Sequence, residues 1–178
     1  MIRSEETALV IDASVAIAIC VEEPLAAIAN RMIRERRIAR GRLMVPAFFW
    51  LEVLNVLTKR YRLPPARVLE AIATLESTSL EMVELDRSQL LLTLDVMARS
   101  GLPAYDAAYL ALAESAGAEL LTFDRRLAAA AGRRAVSLPG RHAIEEAPQS
   151  YAPSWADWPG AAAYLKQLRA QVVRQANG

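Results

Sequence analysis

The chain has one cysteine, Cys20, and one histidine, His142. A single cysteine excludes an internal disulfide. One cysteine and one histidine build no zinc site unless carboxylates join them. Cys20 lies in an apolar run and reads as a core residue. Glycine-rich phosphate loops are missing: there is no G-x-G-x-x-G and no G-K-[ST]. That removes the ordinary nucleotide-binding sites of α/β folds. No apolar run approaches the ~20 residues of a membrane span. The start, MIRSEET, is polar and acidic, unlike a signal peptide. A soluble, cytoplasmic protein is therefore expected. No internal repeat or low-complexity tract is present. An excess of one charge is missing too: the net charge is +1, so bulk charge names no partner. Lysine is nearly absent, with Lys59 and Lys166 the only two. Arginine suits phosphate contacts, but a compositional bias of the source genome gives the same count.

What is present is a chain of 178 residues, 54% hydrophobic and 23% charged. This is enough for one domain with a sizeable core. Its organising stretch is 104–124, AYDAAYLALAESAGAELLTFD. A helix is expected after Pro103, which suits a first helical position. It is rich in Ala and Leu, with Gly117 ending it in the left-handed conformation. Leu120, Leu121, Thr122 and Phe123 then form a short apolar run that fits a strand covered on both faces. Asp106 lies in the first turn of the helix and Asp124 at the carboxyl end of the strand. In an open parallel sheet, ligands bind beyond the carboxyl ends of strands.

The same grammar opens the chain: an apolar run, 8–11, ends in Asp12, with Ser14 two residues on. Asp12 reads either as a helix N-cap or as a second crevice acid. A helix from Pro24 turns Leu25, Ile28, Ala29, Met32 and Ile33 inward. It carries the densest basic cluster, Arg31, Arg34, Arg36, Arg37, Arg40 and Arg42. That cluster is either a solvated face interrupted by Glu35 or a track for a nucleic-acid backbone. A short strand, 43–45, closes at Pro46. A helix follows with Phe49, Val53, Val56 and Leu57 buried. Glu52 and Asn55 share one face of it. A glutamate among Trp50, Leu51, Val53 and Leu54 needs a partner. Either an arginine supplies a salt bridge, or the residue serves a metal or a positive substrate pocket.

Pro64 and Pro65 start a helix with Val68, Leu69, Ile72 and Leu75 inward. Residues 80–85 alternate apolar and acidic, as a half-exposed or edge strand does. The helix 87–100 has Leu90, Leu91, Leu94 and Met97 on one side and ends at Gly101. Asp86 is its expected cap, and Asp95 is expected at the surface. Asp124 is also expected to cap the short helix RRLAAAA, and 135–138 to form a last strand. Strands alternating with helices argue for an α/β fold with a parallel sheet covered on both faces. After Pro139 the composition changes. Residues 1–140 read as one domain, and 141–178 as a C-terminal extension with an amphipathic helix over 161–175. In this tail His142 reads as surface or packing. Trp155 and Trp158 read as pins holding the tail to the domain rather than as platforms for bases.

Asp12, Glu52, Asp106 and Asp124 stand apart from the other acids. Two end buried strands, one opens a helix, and one lies on an otherwise apolar helix. If the sheet gathers them, they repel and raise one another's pKa, a cluster stable mainly when a cation neutralises it. All-oxygen ligation suits Mg²⁺ or Mn²⁺. Such an ion can activate water and stabilise charge on a leaving oxygen, so phosphodiester hydrolysis is the natural reaction. A haloacid-dehalogenase-like phosphatase would want a second Asp where Ser14 stands.

The ordered set LVIDAS, WLEVLNVL, YDAAYLALAE and LLTFDRRL resembles the PIN-domain nucleases, especially the VapC-type ribonuclease toxins of bacterial toxin–antitoxin pairs. The resemblance spans about 9–138 and departs at no acidic position. It implies a three-layer α/β/α sandwich around a parallel sheet. It makes Asp12, Glu52, Asp106 and Asp124 the catalytic metal-binding acids, with Ser14, Asn55 and Thr122 as accessory polar residues. The implied activity is Mg²⁺- or Mn²⁺-dependent endonucleolytic cleavage of RNA, often tRNA or ribosomal RNA. Members commonly dimerise and are blocked by a cognate antitoxin. Arg125 and Arg126, beside Asp124, are the expected phosphate contacts. A stand-alone RNA-processing nuclease and a non-catalytic binding module on the same scaffold are the competing readings. The last ~35 residues lie beyond the resemblance.

Overall fold

The computed structural model describes residues 8–136. The expected tail helix at 161–175, His142, Trp155 and Trp158 lie outside the described residues, as do half of the expected last strand and the C-terminal extension. Four strands, β1 (Leu9–Ile11), β2 (Leu43–Pro46), β3 (Glu81–Val83) and β4 (Glu119–Leu121), form one sheet in the order β3-β2-β1-β4. All three pairings are parallel. Helices α1 (Ala13–Cys20), α2 (Ala26–Ile38), α3 (Phe49–Asn55), α4 (Pro65–Glu76), α5 (Arg87–Ser100), α6 (Ala104–Ser115) and α7 (Arg125–Ala131) connect them. The result is the expected α/β/α sandwich. Leu9, Val10 and Ile11 are all buried, which is why the central strand reads as an unbroken apolar run rather than an alternation.

The strand order fixes where a site belongs. From β1 the chain moves outward to β2 and β3, then returns to lay β4 on the other side of β1. The order reverses between β1 and β4, and a crevice opens at such a switch point. Ile11 pairs with Leu121 at the carboxyl ends. The next residues, Asp12 and Thr122, therefore emerge side by side. α6 packs on β1, β2, β4 and α7. Every residue from Ala107 to Ala113 is buried. Small alanines let its backbone lie close to the sheet, and its first turn carries Asp106 to the same end.

Several expectations need correction. α1 is signalled in the sequence only by the N-cap reading of Asp12: it is eight residues long with Ala13, Val15, Ala16, Ile17 and Ala18 all buried. A run apolar all round carries no helical period. The helix through Glu52 becomes a π-turn over Val56–Arg60. β4 stops at Leu121, so Thr122 and Phe123 follow the strand rather than belong to it. Leu69 is 67% exposed and Leu90 54% exposed. The buried faces are Val68 and Leu75 on α4, as expected, with Ala71 between them, and Thr93 and Val96 on α5. A leucine at the border of the inward face fits the helical period without being covered. Asp95 is not a plain surface acid: its side chain is only 14% exposed and pairs with Arg99 at 3.3 Å.

Other expectations hold. Asp86 caps α5 by accepting from the Gln89 N–H at 2.8 Å. β3 lies at the sheet edge with Glu81 exposed. Ala135 bridges in parallel to Leu120, in the place expected of a last strand. Cys20 is partly buried beside the Ala71 carbonyl, and burial pushes its thiol up to about 11. The basic cluster departs from both of its readings, because part of it is structural: Arg36 ties α2 to Glu119 on β4, and Arg42 grips Glu81 of the edge strand. Gly101 ends α5 at φ +70°, with nothing within 4 Å of where a Cβ would stand. Gly101→Ala is expected to cost about 1 kcal/mol through backbone conformation alone. Urea unfolding checks this: the midpoint falls while the m-value stays constant.

Candidate active site

Asp12 occupies the N-cap position of α1, but its side chain makes no cap hydrogen bond. Its Oδ2 accepts instead from the Ser14 hydroxyl and from Thr122 Oγ1, the latter at 2.8 Å. Ser14 Oγ accepts from the Phe123 N–H at 3.0 Å. Thr122 Oγ1 accepts from the Asp124 N–H at 2.9 Å. Two hydroxyls thus stitch the ends of β1 and β4 together and aim the first carboxylate. Burial pushes the Asp12 carboxyl above its ordinary range; the two hydroxyls pull against that, and the charge of Asp124 adds to it. Asp124 is buried and caps α7, accepting from the Leu127 N–H at 2.6 Å. Of the two strand-ending acids, one is a helix cap and the other is not.

Glu52 and Asp106 complete the group. Glu52 is half-buried on α3, and Tyr109 Oη donates to it at 2.6 Å. Desolvation raises its pKa to about 7; the charges of Asp12 and Asp106 add, while the Tyr109 hydrogen bond opposes. Asp106 is half-buried in the first turn of α6 and is also raised to about 7. There desolvation leads, Asp12 and Asp124 add, and Arg126 opposes. All four acids therefore stand in one electrostatic neighbourhood. The sequence leaves an arginine or a positive site as the expected partner of Glu52, and the observed one is a tyrosine.

The double role of Asp124 sets an expected outcome. Asp124→Ala relieves repulsion on Asp106 and Asp12 but removes the cap on α7, a loss of ~1 kcal/mol. The two effects oppose, so its Tm without metal should stay near that of wild type in a calorimetric melt.

Of the accessory residues, Ser14 and Thr122 contact Asp12. Asn55 is exposed, and among the described residues no hydrogen bond joins it to the four acids. Arg125 and Arg126 are both exposed at the start of α7, and Arg126 acts on Asp106. Tyr109, the hydrogen-bond partner of Glu52, is the residue of this neighbourhood that the sequence does not single out. Its signal is present: it follows Asp106 by three on α6, so the two share a face.

The donor set is all oxygen and mutually repulsive, which is the chemistry of a hard-cation site. Among the described residues, no three acids stand close enough to form a ready-made cage. The residues fit an ion that takes one or two carboxylates directly and reaches the others through water, as Mg²⁺ does. Among the described residues no helix is long and apolar enough to cross a membrane.

The family described as PIN domain matches residues 9–133. A crystal structure of the protein PAE2754 from Pyrobaculum aerophilum is similar in fold, with a TM-score of 0.54 and 24% identity. The match covers 94% of this chain and 98% of that one. No curated protein matches the chain.

Proposed function

This chain belongs to the PIN domain family, whose members are generally nucleases needing divalent metals, and from that premise we propose that it is an endoribonuclease using Mg²⁺ or Mn²⁺, the toxin of a toxin–antitoxin pair. The observation that carries the reading is the convergence of Asp12, Glu52, Asp106 and Asp124 at the β1/β4 switch point, where burial and mutual charge hold Glu52 and Asp106 near 7. Asp12, held by Ser14 and Thr122, is the fixed ligand. Glu52 and Asp106 flank it from α3 and α6, and Asp124 closes the group from the end of β4. An ion held by these acids would supply the Lewis acidity that activates a water for attack on phosphorus and offsets charge on the leaving oxygen. Arg126, already in the field of Asp106, and Arg125 draw the RNA phosphate toward the acids. No side-chain nucleophile is required, so cleavage leaves 5′-phosphate and 3′-hydroxyl ends.

The partners proposed with this reading are a cognate antitoxin and a second copy of the chain. Leu51 (69% exposed) and Leu54 (40%) lie on α3, the helix that also carries Glu52, and offer such partners apolar surface. The test is incubation of the purified protein with total RNA, with and without Mg²⁺ or Mn²⁺, beside an Asp12→Asn/Asp106→Asn double variant. Metal-dependent cleavage that vanishes in the variant supports the reading. A 2′,3′-cyclic phosphate product rules out the hydrolytic route. Cleavage with no small antitoxin-like reading frame adjoining the gene favours a stand-alone RNA-processing nuclease. Absence of cleavage across a structured-RNA panel favours a binding module.

A further inference from the structure

One residue built into the acidic site is not an acid. Tyr109 is fully buried in the second turn of α6, yet it bears a polar hydroxyl. That hydroxyl joins α6 to a second element of the site: it donates to Glu52 Oε2 on α3 at 2.6 Å. The ring is fixed as well. Phe48, which leads into α3, meets Tyr105 and Tyr109 edge-on, with ring centroids 5.1 and 5.4 Å away. Among the described residues no arginine or lysine pairs with Glu52. Its carboxylate therefore depends on one neutral donor for its orientation.

A buried hydroxyl aimed at a half-buried carboxylate costs desolvation on both sides. Packing alone does not explain it, because phenylalanine would fill the same volume without that cost. The same hydroxyl fixes one rotamer of Glu52 while leaving the local charge negative, which an arginine partner would not do. Groups that orient a metal ligand in this way typically govern metal affinity without touching the ion.

We propose that Tyr109 is a positioning residue that holds Glu52 in its ion-ready orientation, coupling α3 to α6. This rests on the nuclease reading. The experiment is Mn²⁺ binding by calorimetry to the full chain and to Tyr109→Phe, Glu52→Gln and the double variant, with Tm and circular dichroism on each. Tyr109→Phe keeps the ring and its edge contacts, so the fold is expected to persist. Its Mn²⁺ affinity is expected to fall about 10-fold or more. RNA cleavage should be lost at low Mn²⁺ and recovered at saturating Mn²⁺. In the Glu52→Gln background the same change should have no further effect on affinity, because the carboxylate it serves is gone.

Wild-type affinity in a folded Tyr109→Phe overturns the proposal. So does a loss of equal size with and without Glu52, which would mean general loosening of the site. Should Tyr109→Phe not fold, Glu52→Asp withdraws the carboxylate from the hydroxyl by one methylene, and wild-type Mn²⁺ affinity there overturns the proposal equally. If the wild-type chain itself binds no Mn²⁺, the nuclease reading fails first and takes this proposal with it.

Discussion

Asp12→Asn is expected to abolish cleavage, by about 10³-fold or more, and to raise the Tm of the metal-free protein. A factor of 10³ is about 4 kcal/mol of lost transition-state stabilisation, the size seen when one preorganised electrostatic partner is removed. The stability gain has a separate origin. Asp12 is 6% exposed and lies beside the charges of Glu52, Asp106 and Asp124. The fold therefore carries a desolvated charge among like charges, which is unfavourable until a cation arrives. Asparagine has the same shape and still accepts from Ser14 and Thr122, so the stitch between β1 and β4 survives. Removing the charge relieves Glu52 and Asp106 together. A Tm several degrees above wild type without metal, combined with loss of the Mn²⁺-induced shift, is the expected pair of results. A destabilised Asp12→Asn would mean that the carboxylate is chiefly structural. A loss of stability in exchange for function is common at active sites.

The parts of this site legible in the sequence are those written in local grammar. A buried strand that ends in an acid occurs twice, at Asp12 and Asp124, and the sheet brings those two ends together because β1 and β4 are neighbours. The helix after Pro103 is legible from its alanines, and its left-handed end from Gly117. What escapes is set by contacts remote in sequence. Glu52 visibly needs a partner, but its partner lies 57 residues away. Nothing local distinguishes a tyrosine on α6 from an arginine elsewhere. Asn55 stands three residues after Glu52 and shares its broad face, but Glu52 already lies at the border of burial, so the shift of one turn leaves Asn55 exposed. Beyond the N-cap reading of Asp12, the short apolar helix α1 is hidden by its own burial, because a segment covered on all sides loses the period that would identify it.

The same raised acids make stability depend on pH in a direction opposite to the ordinary carboxylate case. Glu52 moves from 4.5 to about 7 and Asp106 from 3.8 to about 7. The folded protein thus holds these protons more tightly than the unfolded chain. Stability falls with pH wherever the folded state binds more protons. The contribution is full below about pH 4 and lost progressively as pH rises to about 7. Above that, both states are charged and the penalty is constant. Asp12, raised by burial, slopes the same way. Arg126 beside Asp106 opposes, and Glu81, held low by Arg42, gains stability as pH rises through the acid range. A tenfold difference in proton affinity between the folded and unfolded states corresponds to ~1.4 kcal/mol. Both carboxyls keep some contact with water, so ~2–3 kcal/mol in all is expected, or about 5–10 °C in Tm. Metal-free protein should therefore melt lower at pH 7.5 than at pH 4.5, and Glu52→Gln/Asp106→Asn should flatten the profile. A divalent ion binds the deprotonated form and releases protons as it does so. Saturating Mn²⁺ should accordingly raise Tm little at pH 5 and strongly at pH 7.5, as calorimetric melts across that range would record. A metal-free Tm that climbs from pH 4.5 to 7.5 in the wild type, and climbs equally in the double variant, would mean that these acids do not share the proton-holding neighbourhood on which the nuclease reading depends.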